Sequence, residues 1–198
     1  MIILGLTGSI AMGKSTIAAM FEDEGIPVHD ADAAVHRLLA PDGLGFAPVT
    51  AAFDGVVGAD GHIDRQALGR AVFGDDAKRR QLEAILHPLV KQDRQTWLEA
   101  KKYTADIAVL DIPLLFETGG ADECDQVVVV SASPRQQERR AMARPGMTAE
   151  KYAAILHAQM PDQEKRARAD YVIPTSFGET ASRWHVRRLI NQLRGHHA

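Results

Sequence analysis

The sequence predicts an α/β fold in three layers, a parallel sheet with helices on both faces. Three observations predict it. Strand-like apolar runs alternate with helical stretches, and two of them, Ile107 to Asp111 and Gln126 to Val130, are apolar enough to be buried on both faces. A glycine-rich turn joins the first strand to the first helix. From about residue 42 to 103 helical runs appear without a convincing strand, which marks a helical insertion.

Taken in order, Ile2 to Leu6 is the first strand, Gly8 to Gly13 the turn, and Ser15 to Glu24 a helix that Gly25 closes. Ile26 to His29 is a short second strand that ends at Asp30-Ala31-Asp32. A helix over Ala33 to Ala40 follows, broken by Pro41 and Gly43. Inside the insertion Leu82, Ile85, Leu86, Leu89 and Val90 recur at helical spacing, and Pro88 predicts a kink or restart beside His87. Arg135 to Arg144 reads as a basic helix, Pro145-Gly146 as a turn, and Thr148 as the cap of the next helix, with a charged helical stretch continuing to about Ala169. Tyr171 to Ile173 is the last strand. Glu179 to Leu193 is the closing helix, with Trp184, Leu189 and Leu193 on its predicted core face.

A chain of 198 residues with 45% hydrophobic content suits one catalytic domain with an inserted cap. Its 23 Lys plus Arg against 26 Asp plus Glu give a net charge of −3, so no global field draws it to nucleic acid or an anionic membrane. Aromatic content of 6%, without a basic stripe carrying interleaved aromatics, also argues against a nucleic-acid module. Cys124 is the one cysteine, which excludes an internal disulfide and fits a reducing cytoplasm. The run Met1 to Leu4 meets Gly5 and then Lys14, far short of the ~20 residues of a spanning helix, so no membrane anchor is expected. The eight histidines, His196 and His197 included, show no H-x-x-x-H zinc spacing and are expected mostly at the surface.

The turn Gly8-Ser9-Ile10-Ala11-Met12-Gly13-Lys14-Ser15 matches G-x-x-x-x-G-K-[ST] between a strand and a helix, the setting that this phosphate-binding P-loop requires. Glycines let the backbone approach phosphates, and the helix N-terminus adds favourable polarity. Gly8, Ala11, Met12, Gly13, Lys14, Ser15 and the adjoining Thr16 are therefore the expected ATP contacts. Lys14 would reach the β and γ phosphates, and the Ser15 hydroxyl would ligate Mg²⁺.

Binding alone names no reaction, because P-loops serve switches and motors as well as kinases. A carboxylate at the second strand end supplies what an alcohol kinase needs, a group that accepts the hydroxyl proton and aligns the oxygen. Asp32 is the expected base, and Asp30 can orient it; either can instead cap the helix that follows. Asp111 fits a metal-side carboxylate at a strand end, or a strand-end residue facing solvent. Arg135, Arg139, Arg140 and Arg144, followed by Lys165, Arg166 and Arg168, suggest a basic lid in which Arg140 and Arg144, at i and i+4, share a face and clamp the transferring group. Some of these cations simply form a solvated face.

Together these residues resemble the dephospho-coenzyme A kinase family, within the nucleoside-monophosphate-kinase-like P-loop group. The likeness rests on Leu6 to Ser15, Asp30 to Asp32, Asp60 to Arg65, Leu86 to Val90, Ile112 to Glu117, the Arg140 and Arg144 pair, Gln159 and Ala169 to Ile173. It implies a P-loop NTPase fold as one domain over 1–198. The core would be about 1–41, 104–139 and 166–198, with a coenzyme A cap at about 42–103 and a lid at about 140–165. It implies ATP as donor, dephospho-coenzyme A as acceptor, Asp32 as base, Lys14 and Arg140 as catalytic partners, and Arg65, His87 and Glu117 at the acceptor site. It also implies the last step of coenzyme A synthesis.

Two positions depart from the family pattern: His36 stands where many relatives have Arg, and Pro174-Thr175-Ser176 follows the last strand where Asn is usual. Another small-molecule kinase is the nearest alternative. A GTP switch is disfavoured, because no N-K-x-D is present and no D-x-x-G follows Asp111.

Overall fold

The computed structural model describes residues 1–195, so the expectation for His196 and His197 lies outside the described residues. In chain order the elements are β1 (Ile2–Thr7), α1 (Lys14–Asp23), β2 (Val28–Asp30), α2 (Ala31–Leu38), α3 (Phe46–Ala52), α4 (Arg65–Val72) and α5 (Asp76–Lys101). They continue as β3 (Ile107–Asp111), β4 (Gln126–Ser131), α6 (Pro134–Met142), α7 (Ala149–Ala158), α8 (Asp162–Arg168), β5 (Tyr171–Pro174) and α9 (Glu179–Gly195), with a 3-10 turn at Gly120–Glu123. Two compact units result: Met1–His29 with the chain from Lys101 onward, and Asp30–Ala100.

The first unit is built on a sheet of order β2-β3-β1-β4-β5. β1 pairs in parallel with β3 (Leu4 opposite Val109) and with β4 (Leu6 opposite Val128), and β4 pairs in parallel with β5. All five residues of β3 are buried, which is why Ile107 to Leu110 are continuously apolar rather than alternating and only Asp111, at the strand end, is polar. The chain places β2 and β3 on one side of β1 and then crosses to β4 and β5 on the other, so the carboxyl end of β1 lies at the topological switch point where ligands of open α/β sheets bind. One face is covered by α1 through Ile17, Met20 and Phe21, and by α9 through Val186, Leu189, Ile190 and Leu193. Truncating any of the larger of these to Ala is expected to cost about 2–5 kcal/mol.

Trp184 is not on that face. It is 54% exposed, edge-on to His185, with the Arg188 guanidinium 5.2 Å above its ring. The buried stripe of α9 runs Ser182, Val186, Leu189, Ile190, Leu193, a spacing of three and four that leaves position 184 on the opposite side. The basic helix is also shorter than expected. α6 stops at Met142 with Ala143 as its cap, so Arg144 lies beyond it and does not share a helical face with Arg140.

The second unit packs Leu39, Val49, Phe53, Val56, Ile63, Leu68 and Leu86 into its own core, with Leu82 and Ile85 against them. Asp64 caps α4 by accepting from the Gln66 and Ala67 N–H groups at 2.8 and 3.2 Å. α5 runs as one helix through Pro88, so no restart occurs beside His87. Within this unit Asp30, not Asp32, is the cap of α2: its carboxylate accepts from the Ala33 N–H at 3.0 Å. The helix therefore begins two residues earlier than its apolar pattern suggests, and Asp32 sits exposed in its first turn.

Candidate active site

In the first unit the P-loop follows β1 and enters α1 at Lys14. Two glycines are required by the geometry. A Cβ at Gly8 would lie 2.7 Å from the Val130 carbonyl oxygen, and Gly13 has φ 95°, the left-handed conformation that a side chain resists. Ala11 adopts φ 61° as well, a strained value for a non-glycine residue and one that clusters at ligand-clamping turns.

Lys14 forms an ion pair with Asp111, the last residue of β3. Asp111 is 3% exposed, so the reading of it as a solvent-facing strand end does not hold; it joins the Lys14 ammonium at the carboxyl ends of two paired strands. Ser15 and Thr16 are exposed in the first turn of α1.

Side chains from three later segments grip the cradle. The Gln159 Oε1 accepts from the Ile10 N–H at 2.9 Å, and the Gln137 amide donates to the Ile10 carbonyl, also at 2.9 Å. Thr175 Oγ1 donates to the Met12 carbonyl at 2.7 Å. Arg140 donates through Nη1 to Thr175 Oγ1 at 3.0 Å and through Nη2 to the Thr175 carbonyl at 2.9 Å, with Nη1 3.5 Å from the Met12 carbonyl. Of the basic residues in the lid stretch, Arg140 and Lys165 turn inward, whereas Arg135, Arg139, Arg144, Arg166 and Arg168 are exposed.

Glu117, in the loop after β3, anchors this same region. It pairs with the fully buried Lys165 at 2.8 Å and accepts from the Met160 N–H at 2.8 Å. Burial pushes the Glu117 carboxyl up, but the hydrogen bonds from Lys165 and Met160 outweigh that and hold it below its ordinary value. Asp162 accepts from the Ser131 hydroxyl at 2.8 Å. Residues 159 to 165 are thus fastened to the P-loop, to the loop after β3 and to β4.

The second unit carries the remaining expected site residues. Arg65, first residue of α4, contacts the His36 ring on α2, so the imidazole at the departure from the family pattern stands beside a fixed cation. Arg37 is engaged elsewhere, with Asp93 at 2.9 Å. Asp32 and His87 are both exposed. Gln137 and Thr175 were not legible as site residues from sequence. The one available signal for Gln137 is its position four residues before the buried Ala141 on a helix that is otherwise mostly polar.

A turn of this shape at a helix N-terminus, with the lysine that opens that helix paired to a buried carboxylate at a strand end, is an arrangement that can hold phosphates and stabilise charge moving among them. Residues 2–179 match the family model described as Dephospho-CoA kinase. The chain is 54% identical over 196 residues to the dephospho-CoA kinase of Mesorhizobium japonicum, covering 98% of each, and 48% identical over 192 residues to that of Novosphingobium aromaticivorans, covering 97% of this chain and 94% of the relative. A Thermus thermophilus protein of known crystal structure superposes with TM-score 0.84 at 36% identity over 96% of each chain. A shikimate kinase from Acinetobacter baumannii, at TM-score 0.53 and 16% identity over 99% of this chain and 94% of its own, shares the fold alone. Sequence, architecture and phosphate cradle converge, and the chain belongs to the dephospho-CoA kinase family.

Proposed function

We propose that this protein transfers the γ-phosphoryl group of ATP to the ribose 3′-hydroxyl of dephospho-coenzyme A, giving coenzyme A and ADP, the last step of coenzyme A biosynthesis. The observation that carries this is the P-loop set at the switch point of the sheet, with Lys14 against Asp111, in a chain that matches dephospho-CoA kinases over almost its whole length.

In the transfer the acceptor oxygen forms a bond to the γ-phosphorus, the bond to the bridging oxygen of ADP breaks, and Asp32 takes the hydroxyl proton. Asp32 is suited to this because Asp30 already performs the capping, which leaves the Asp32 carboxylate exposed at a helix N-terminus. Gly8, Ala11, Met12, Gly13, Ser15 and Thr16 line the phosphates, Lys14 swings its ammonium from Asp111 to the β and γ oxygens, and Arg140 and Arg144 offset the spreading charge. The donor set suits Mg²⁺: the Ser15 hydroxyl and the Asp111 carboxylate are hard oxygen ligands, and such an ion, when bound, would neutralise charge on the phosphates.

We assign acceptor contacts to Arg65, His87 and Glu117, the cap to residues of about 42–103 and the lid to about 140–165. Among the described residues no helix is long and apolar enough to cross a membrane. A cytoplasmic small-molecule enzyme without a nucleic-acid partner accords with the charge of −3 and the single cysteine. The test is ADP release with dephospho-coenzyme A, adenosine and AMP offered in turn; release with the first alone is expected, and release with another acceptor alone would overturn the assignment.

A further inference from the structure

We infer that Thr175 is a positioning residue for nucleotide binding, setting both the last turn of the P-loop and the Arg140 guanidinium through one hydroxyl. This rests on the proposed role of the P-loop and Arg140 in holding ATP.

Thr175 follows β5 directly and is 6% exposed. Its backbone N–H donates to the Ser131 carbonyl at 2.9 Å, which extends the β4 pairing by one residue and fixes where the side chain starts. The hydroxyl has one hydrogen to give. The Met12 carbonyl at 2.7 Å takes it, since the alternative acceptor, the Ser131 carbonyl, is at 3.4 Å. The oxygen's lone pairs then face Arg140, which donates from Nη1 at 3.0 Å, while Nη2 reaches the carbonyl of the same residue at 2.9 Å. A planar fork held at two points has its orientation specified, which a single contact would not achieve.

The place where these groups meet is the turn into α1. A Cβ at Gly13 would lie 3.4 Å from Thr175 Cγ2 and Oγ1 and 3.5 Å from Arg140 Nη1. Gly13 immediately precedes Lys14, so a shift of the Met12 carbonyl is passed to the residue that reaches the phosphates. A β-branched side chain suits the task because its χ1 is stiff, so the hydroxyl is aimed before the nucleotide arrives.

Thr175→Val keeps the shape and the branching but removes the hydroxyl. It is expected to raise KM for ATP about ten-fold, the size of a lost charge-assisted hydrogen bond, and to lower kcat with it because Arg140 is misdirected, while KM for dephospho-coenzyme A stays within about threefold of the wild type. Thr175→Ser should restore KM for ATP to within about threefold. In a double-mutant cycle, Thr175→Val and Arg140→Lys should be less than additive, because both break the contact between Arg140 Nη1 and Thr175 Oγ1.

Unchanged KM for ATP in Thr175→Val, or full additivity in the cycle, would overturn the inference. Should Thr175→Val fail to fold, Arg140→Lys reads the same fork, and a wild-type KM there overturns it equally. A wild-type enzyme inactive on dephospho-coenzyme A would instead remove the proposed function, so the two failures are separate.

Discussion

Gln159 and Ile10 are joined by a hydrogen bond of 2.9 Å in which a P-loop backbone N–H donates to a side chain from the connection between α7 and α8. Gln137 holds the carbonyl of the same residue, so Ile10 is fixed on both its N–H and C=O sides. The cradle is shaped by the segment that comes after it. Gln159→Leu, which removes the acceptor at similar volume, should raise KM for ATP by up to about ten-fold while changing stability by about 0.5–1.5 kcal/mol. Steady-state kinetics alongside thermal melting would check this; a stability loss without any change in KM would confine Gln159 to a structural role.

Lys14→Ala removes the ammonium that faces Asp111. Turnover should fall on the order of 10²-fold or more, and nucleotide affinity should fall with it. Calorimetric titration with ATP and an assay at saturating substrate would measure both. Normal binding and turnover would be incompatible with a phosphate-binding role for the turn.

For Asp32, the division of labour with Asp30 makes a sharp expectation. Asp32→Asn should keep ATP affinity within a few-fold and lose about 10²-fold or more in kcat. Asp30→Ala should instead cost about 0.5–2 kcal/mol of stability through loss of the α2 cap. A kcat close to wild type in Asp32→Asn would leave the base unassigned.

The Glu117 and Lys165 pair carries a pH signature. The folded Glu117 carboxyl lies below its ordinary 4.5, so its contribution to stability is complete above the unfolded value and is lost as pH falls through the lower folded one. Glu117→Gln should flatten that acid limb. It should also lower stability at neutral pH by about 3–5 kcal/mol, because the Lys165 ammonium stays buried without its counter-charge. Melting curves from pH 3 to pH 7 for both proteins would show it, and parallel curves would contradict it.

The same anchors limit what a lid can do. Residues 159 to 165 are tied down by Gln159, Met160, Asp162 and Lys165. Hydrogen exchange on addition of ATP and dephospho-coenzyme A should therefore slow mainly between 143 and 158, with 159 to 165 already protected. Equal change across both segments would contradict hinging at the anchored end.

Most of the sheet was legible in the sequence because strands buried on both faces are written as apolar runs, as at Ile107 to Asp111, and the P-loop because its glycines have no substitute at that geometry. Boundaries were less so. The α2 start was hidden because two aspartates two residues apart both look like caps, and it is Asp30 whose carboxylate reaches the Ala33 N–H. Trp184 misled because apolar character outweighed helical phase. The contacts of Gln137, Thr175 and the inward Lys165 were not legible: their partners lie 127, 163 and 52 residues away, at Ile10, Met12 and Pro113, and no spacing rule spans such gaps.

The decisive measurement is the identity of the product formed from ATP and dephospho-coenzyme A by the purified protein, read by mass spectrometry and phosphorus NMR. Coenzyme A phosphorylated at the ribose 3′ oxygen, in amounts equal to the ADP released and formed on the order of 10²-fold more slowly with Lys14→Ala, is the expected result. ADP formed without any phosphorylated coenzyme, or a phosphate on another oxygen, would contradict it.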